Sequence, residues 1–333
     1  MLPKVFIDGE AGTTGLQIAE RLRARTDLEL VSIDPAKRKD NEERARLMNA
    51  ADAVILCLPD DAARLGVSLV TSPNTVIIDA STAHRVANGW TYGFPEMDKG
   101  QRAAIQASRR ISNPGCYPTG VIALLRPLVT KGLLPASWPV VVSAVSGYSG
   151  GGRAMIAEFE DSSSESYTRD NHRIYALGQT HKHPPEMKAY ARLEQLPLFM
   201  PSVGRYAQGM IVEIGLPLWA VSGKPKRAQL HTALSEAYAG ERFVNVVPLA
   251  EADLVIAVGA SLRMEVRHTN WENRKEAVII AASSVLGLGL AFLAEAIMLL
   301  IIDGLRGLRL RARRRLLEEA SREAGQKEEE NRL

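Results

Sequence analysis

The sequence predicts an α/β protein in which a parallel sheet with crossover helices is followed by a second domain built on a mixed or antiparallel sheet. Three observations carry this. Over the first 115 residues short apolar runs alternate with helical stretches, the pattern of successive βαβ units. A glycine-rich turn joins the first apolar run to the first helical stretch. From Pro139 onward the apolar runs become β-branched and are separated by long polar connections, which marks a different kind of sheet.

In the first domain, strands are expected at 4–8, 28–33, 53–58 and 75–79, with a short one at 110–112. Between the first two, Ile18 and Leu22 stand four apart beside Ala19, and Gln17, Glu20 and Arg21 fall on the opposite face, as in an amphipathic helix. Residues 120–130 are apolar and helical in pattern. In the second domain, strands are expected at 140–144, 210–216, 242–247 and 253–258, and the Ser-, Glu- and Asp-rich stretch 161–171 reads as a surface loop. The boundaries that follow are 1–115, 116–270, an apolar helix at 271–303 expected to pack back on the first domain, and a charged tail at 304–333.

Composition narrows the classes of function. With 333 residues, 46% hydrophobic and 24% charged, the chain is neither disordered, collagenous nor a disulfide scaffold, and its length allows two domains that bury their own cores. Lys and Arg number 41 against 38 Asp and Glu, and a net charge of +3 gives no reason to expect a nucleic-acid partner. Two cysteines and no apolar leader behind Met1-Leu2-Pro3-Lys4 point to the reducing cytoplasm, where an interesting cysteine is reactive rather than bridged. One stretch stands out: 277–302 holds 26 residues with Glu295 as the single charge. As a helix it would reach ~39 Å, more than the ~30 Å of a bilayer core. Six arginines between Arg306 and Arg315 oppose translocation, so a buried or partner-covered helix is favoured over a membrane anchor.

The turn Gly9-Glu10-Ala11-Gly12-Thr13-Thr14-Gly15 carries the first chemical signal. Glycines at spacing three let backbone approach a pyrophosphate, and the N–H groups and dipole of the following helix favour its charge, so Gly9, Gly12, Thr13, Thr14 and Gly15 are candidate dinucleotide contacts. Asp34, 19 residues after Gly15, stands where an acidic residue would take a ribose 2′-hydroxyl of NAD. Lys37, Arg38 and Lys39 follow it and suit a 2′-phosphate better, which favours NADP(H) and leaves Asp34 to cap the turn; the alternative is a solvated basic turn.

Cys116 carries the second. It follows Ser112-Asn113-Pro114-Gly115 and opens a helix, where dipole and unpaired N–H groups stabilise a thiolate and form an oxyanion hole, whereas Cys57 ends an apolar strand and reads as buried and inert. Of six histidines only His181 and His183 lie in a dense polar motif, His181-Lys182-His183-Pro184-Pro185-Glu186. On an extended segment, spacing two would send them to opposite sides, leaving one to face Cys116. No further ligands of a metal site accompany them, and none is expected. The glycine-rich loop after Ser146-Gly147-Tyr148 ends in Arg153, a candidate fork for an anionic substrate, and Arg85 is a candidate phosphate clamp.

Taken in order, the glycine turn, Ser112-Asn113-Pro114-Gly115-Cys116-Tyr117-Pro118-Thr119, Ser146-Gly147-Tyr148-Ser149-Gly150-Gly151-Gly152 and the histidine motif resemble N-acetyl-γ-glutamyl-phosphate reductases of the shorter type, over residues 1–258. The resemblance implies a Rossmann-type cofactor domain and a glyceraldehyde-3-phosphate-dehydrogenase-like α/β substrate domain that carries the subunit interface of a homo-oligomer, dimer or tetramer. It also implies NADPH as cofactor and an acyl-phosphate substrate of arginine biosynthesis. Cys116 would attack the acyl phosphate and release phosphate, and hydride transfer would reduce the thioester to the semialdehyde. His183 would manage protons with His181 nearer the phosphate, and Arg85, Asn113, Ser146, Tyr148 and Arg153 would hold the substrate.

One segment departs from the resemblance. Where these reductases carry a polar glycine-rich stretch, residues 285–292 keep two glycines and are otherwise apolar. The competing expectation is a catalytically impaired, membrane-associated binding protein on the same scaffold, or a related dehydrogenase with another substrate.

Overall fold

In the computed structural model, residues 2–249, 262–271 and 275–284 are described, the last two stretches by backbone and register. The first half runs β1 (Lys4–Asp8), α1 (Thr13–Arg23), β2 (Glu29–Val31), a 3-10 turn (Pro35–Lys37), α2 (Asn41–Ala50), β3 (Ala53–Leu56), α3 (Asp60–Leu69), β4 (Val76–Asp79), β5 (Thr91–Tyr92), α4 (Gln101–Ala107) and β6 (Arg110–Ser112). The six strands form one parallel sheet in the order β2-β1-β3-β4-β6-β5. Side chains alternate across it: Val5 and Ile7 pack with Ile18 and Leu22 of α1 on one face, and Phe6 packs with Leu47 and Met48 of α2 on the other. Both faces are therefore covered, which is why the strands read as unbroken apolar runs. β1 ends on a buried Asp8 paired with buried Arg44 of α2 at 2.8 Å, which ties α2 to the start of the glycine turn.

The second half comprises α5 (Cys116–Thr130), β7 (Val141–Gly147), a 3-10 turn (Tyr148–Gly151), α6 (Gly152–Glu160), β8 (His172–Ile174), α7 (Pro184–Ala191), β9 (Leu198–Gly204), β10 (Met210–Leu216), α8 (Arg227–Ala237), β11 (Val244–Val246), β12 (Leu262–Trp271) and β13 (Lys275–Ser284). Its seven strands lie in the order β11-β12-β13-β10-β7-β9-β8, with β7–β9 and β11–β12 parallel and the other pairs antiparallel. α5 is buried along almost its whole length between this sheet and helices α7 and α8. The stretch 161–171 has no helix or strand, and the Arg205 guanidinium braces it by donating to the carbonyls of Phe159, Thr168 and Asp170.

Two expectations are corrected. The apolar helix expected at 271–303 does not exist over its first part, because Lys275–Ser284 is strand β13, hydrogen-bonded on one side to β10 and on the other to β12. Its run of Val278, Ile279 and Ile280 is apolar for the reason β1 is: it is a central strand. The second sheet accordingly continues past residue 270. The strand expected at 253–258, the remainder of the apolar stretch and the charged tail lie outside the described residues. Among the described residues no helix is long and apolar enough to cross a membrane.

Candidate active site

The glycine turn leaves the carboxyl end of β1 and enters α1, and its glycines are demanded by contact. Gly9 has φ +88°, and a Cβ there would lie 2.4 Å from the Cys57 carbonyl oxygen; one on Gly15 would lie 2.3 Å from the Gly9 carbonyl oxygen. Gly12 is the N-cap, its carbonyl accepting from Leu16 N–H, and Thr13 and Thr14 are the first helical residues. No side chain caps this N-terminus, so its N–H groups remain available to an anion. Asp34 caps the 3-10 turn through an Oδ1 bond from Ala36 N–H at 2.9 Å, and Lys37, Arg38 and Lys39 beyond it are exposed.

Cys116 is the first residue of α5, as its sequence context required. A cavity of about 280 Å³ gathers it with Thr14 and Gln17 of α1, Ser146, the Ser149–Gly152 loop, Met155, Tyr117, Tyr175 and His181. Helices α1, α5 and α6 all begin at this cavity, so three N-terminal dipoles favour negative charge within it. Burial nevertheless pushes the Cys116 thiol up to about 11, against the opposing pull of the Tyr117 N–H, Arg85 and the Cys116 N–H. The N–H groups at the helix start do favour the thiolate, as expected from the sequence, but desolvation outweighs them, so deprotonation calls for a base.

Both histidines stand against α5. Their ring centroids are 4.6 Å apart, and each meets the Tyr117 ring edge-on. The segment is bent rather than extended, since His183 has helical φ and ψ as the N-cap of α7, and of the two histidines His181 is the one that lines the cavity with Cys116. Its N–H donates to His181 Nδ1 at 3.2 Å, which leaves the proton of neutral His181 on Nε2. His183 by contrast is half-buried beneath Gly115, its Nδ1 inaccessible and with no partner among the described residues. Burial and the neighbouring Arg85 hold both imidazoles below their usual range, His183 far below it.

The substrate candidates divide. Ser146 is buried, lines the cavity and accepts the Tyr117 hydroxyl proton at 2.9 Å; Tyr175 OH lies 3.0 Å from the same phenol. Asn113 is fully buried, and neither atom of its amide has a partner among the described residues. The remaining three are corrected. Tyr148 turns outward, stacking on Phe159 and donating to Glu160. Arg153 reaches across to the Ala11 carbonyl of the glycine turn rather than into the cavity. Arg85 is no open clamp: it donates to the carbonyls of Asn113 and Ala80 and to Glu186 at 3.1 Å, inside a shell held by Asp79, which takes Ser81 and His84.

Glu186 is the residue that sequence reasoning passed over. It is 1% exposed and accepts from Gly115 N–H at 2.6 Å, Tyr92 OH at 2.6 Å and Arg85. Burial raises its carboxyl, and these donors oppose that by favouring the ionised form. In sequence it is an acidic residue in the first turn of a helix, a common capping choice, and only its place within the histidine motif marked it. Tyr175 and Met155 had no signal at all. Among the described residues there is no cluster of His, Cys, Asp or Glu able to hold a metal ion.

The semialdehyde dehydrogenase dimerisation domain matches residues 116–284. N-acetyl-gamma-glutamyl-phosphate reductase 2 of Nostoc sp. (strain PCC 7120 / SAG 25.82 / UTEX 2576) is 49% identical over 298 residues, covering 86% of this chain and 92% of its own. The N-acetyl-gamma-glutamyl-phosphate reductase of Brucella ovis is 54% identical over 253 residues, covering 76% and 82%. Among solved structures, aspartate semialdehyde dehydrogenase II of Vibrio cholerae, complexed with ASA, superposes with a TM-score of 0.66 at 12% identity, over 91% of this chain and 99% of that one, a likeness of fold. With the cysteine at the head of a buried helix, the paired histidines and these relatives, the chain belongs to the N-acetyl-gamma-glutamyl-phosphate reductase family of semialdehyde dehydrogenases.

Proposed function

We propose that the protein reduces N-acetyl-γ-glutamyl phosphate to N-acetylglutamate semialdehyde with NADPH, as a cytoplasmic step of arginine biosynthesis. The observation that carries this is the shared cavity of Cys116, His181 and Thr14 at the start of α1: nucleophile, proton donor and the helix entered from the glycine turn open on one space. The close contacts behind Gly9 and Gly15 fit a turn against which a pyrophosphate packs. Gly9, Gly12, Thr13, Thr14 and Gly15 hold the phosphates, and Lys37 and Arg38 take the 2′-phosphate while Asp34 is spent on its turn. When bound, the reduced nicotinamide supplies a hydride.

The chain's own part is acyl transfer. A histidine takes the Cys116 proton, the sulfur bonds to the acyl carbon, and phosphate leaves; the thiol is regenerated when the semialdehyde departs. His183, neutral and with a free Nδ1, suits the base, and His181 Nε2–H suits a donor to the leaving phosphate. Asn113 and Ser146 hold the substrate's polar groups, since an unpaired buried amide gains most from a partner. The test is phosphate-dependent oxidation of N-acetylglutamate semialdehyde with NADP+. Turnover by the wild type and its loss in Cys116→Ser support the assignment; no turnover, or full rate in Cys116→Ser, sinks it.

The working unit is a homodimer through the outer face of the second sheet. There Val141 and Leu198, paired in register and exposed, share a face with Met200, Val145 and Ile211 and with the exposed Ser143 and Glu213. Exposed apolar side chains grouped on a sheet face and flanked by polar ones fit a subunit interface.

A further inference from the structure

Glu186 belongs to α7, yet its partners Arg85, Tyr92 and Gly115 all come from the first 115 residues. Gly115 is the N-cap of α5 and immediately precedes the nucleophile. Its N–H points into the carboxylate, which fixes the Pro114–Gly115 peptide one residue ahead of Cys116. The packing leaves no slack: a Cβ on Gly115 would lie 2.5 Å from Arg85 Nη1, 2.8 Å from Glu186 Oε2 and 2.9 Å from His183 Nε2. A carboxylate, a guanidinium and an imidazole therefore close on one backbone position, and α7 carries both Glu186 and, as its N-cap, His183.

We propose that Glu186 is a positioning residue for the reaction: by gripping Gly115 and Arg85 it sets Cys116 against the paired histidines. The proposal rests on Cys116 being the nucleophile, as argued above. Glu186 acts through Gly115, and its charge also reaches the sulfur, opposing the thiolate that Arg85 favours. The other titratable groups gathered here are His181, His183, Tyr117 and Tyr175. A small displacement of a nucleophile costs on the order of a hundredfold in rate, so the loss of this grip is expected to show in turnover rather than in binding.

The experiment uses the full chain carrying Glu186→Gln. Three readouts are taken: kcat and KM for phosphate-dependent semialdehyde oxidation, NADPH affinity by fluorescence titration, and the pH profile of Cys116 alkylation by iodoacetamide, followed by peptide mass spectrometry. The expected result is a fall in kcat of about 100-fold, unchanged KM and NADPH affinity, and an alkylation profile moved to lower pH because the opposing carboxylate is gone. A folded variant with wild-type kcat, or one whose alkylation profile is unmoved, overturns the proposal and leaves Glu186 a staple between the halves. Should Glu186→Gln fail to fold, Tyr92→Phe removes one hydrogen bond and keeps the ion pair. There a drop of roughly three- to tenfold in kcat, the size of one modest hydrogen bond, supports the proposal, and wild-type kcat overturns it. If the wild type shows no reductase chemistry, the activity assignment fails by itself, and the alkylation profile still reports whether Glu186 governs Cys116.

Discussion

Asp34 Oδ1 accepts the Ala36 N–H at 2.9 Å, so one oxygen of the exposed acidic residue after the second strand is taken by its own turn. The exposed Lys37 and Arg38 are then the groups within that turn suited to a dianionic 2′-phosphate. Replacing both by Ala is expected to raise the Kd for NADPH about tenfold to a hundredfold, the range for one or two charge-assisted hydrogen bonds, while the Kd for NADH stays within about twofold. Isothermal titration with the two nucleotides measures the ratio; equal losses for both would show that the basic turn contacts something other than the 2′ position.

Cys116 should behave as an unreactive thiol until the site is filled. With burial pushing it up to about 11, the thiolate fraction in the ligand-free protein grows about tenfold per pH unit between pH 7 and 9, and alkylation should follow. Cys57, pushed up to about 12 by burial and the nearby Asp79 and Asp8, should remain unlabelled over the same range. A Cys116 alkylation rate that is flat across this window would mean the thiolate is already formed at neutrality.

Acid should destabilise the fold through His183. Burial, Arg85 and His181 hold its folded-state pKa well below the unfolded value near 6.5, so the unfolded chain takes up the proton first. The stability contributed by the neutral imidazole is present above pH 6.5 and is lost as pH falls below it. In thermal unfolding, His183→Gln should lower Tm at pH 7.5 and show a shallower fall between pH 6.5 and 5 than the wild type. Parallel curves for the two proteins would remove His183 as the group responsible.

Subunit assembly should depend on the outer sheet face. Val141 and Leu198 are 42% and 46% exposed and lie side by side, so Val141→Lys with Leu198→Glu introduces charge into the apolar patch at the start of β7 and β9, away from the cavity residues. Light scattering after size exclusion should report a dimer for the wild type and a monomer for the double variant. An unchanged mass would send the interface to another face.

The parts of the fold governed by local pattern were readable from sequence. β1, β6 and β10 fall at their predicted limits: β1 as an apolar run ended by turn residues, β6 by the turn residues that follow it, and β10 by its alternating burial. β13 was misread because an apolar run buried within a sheet and an apolar helix share one signature, and periodicity cannot separate them. In the site, Cys116 and the glycine turn were legible since each sits at a helix start, a feature with its own sequence grammar. Arg85 was identified and given the wrong task, because its partner Glu186 lies 101 residues away and no local pattern reports such a pairing. The relative placement of His181 and His183 depended on a bend at His183, which spacing alone does not encode.

The position of β13 bears on how the chain acquires its shape during synthesis. The first sheet has all six strands once Ser112 has emerged, so that half can close while the rest is still being made. The second sheet waits for its centre: β10 and β12 have no common neighbour until Lys275–Ser284 arrives between them, some sixty residues after β10 ends at Leu216. Through that interval β10 presents an unpaired edge, the kind that recruits strands from other chains. A nascent chain halted before residue 275 would hold a complete first sheet joined to an open, adhesive second one.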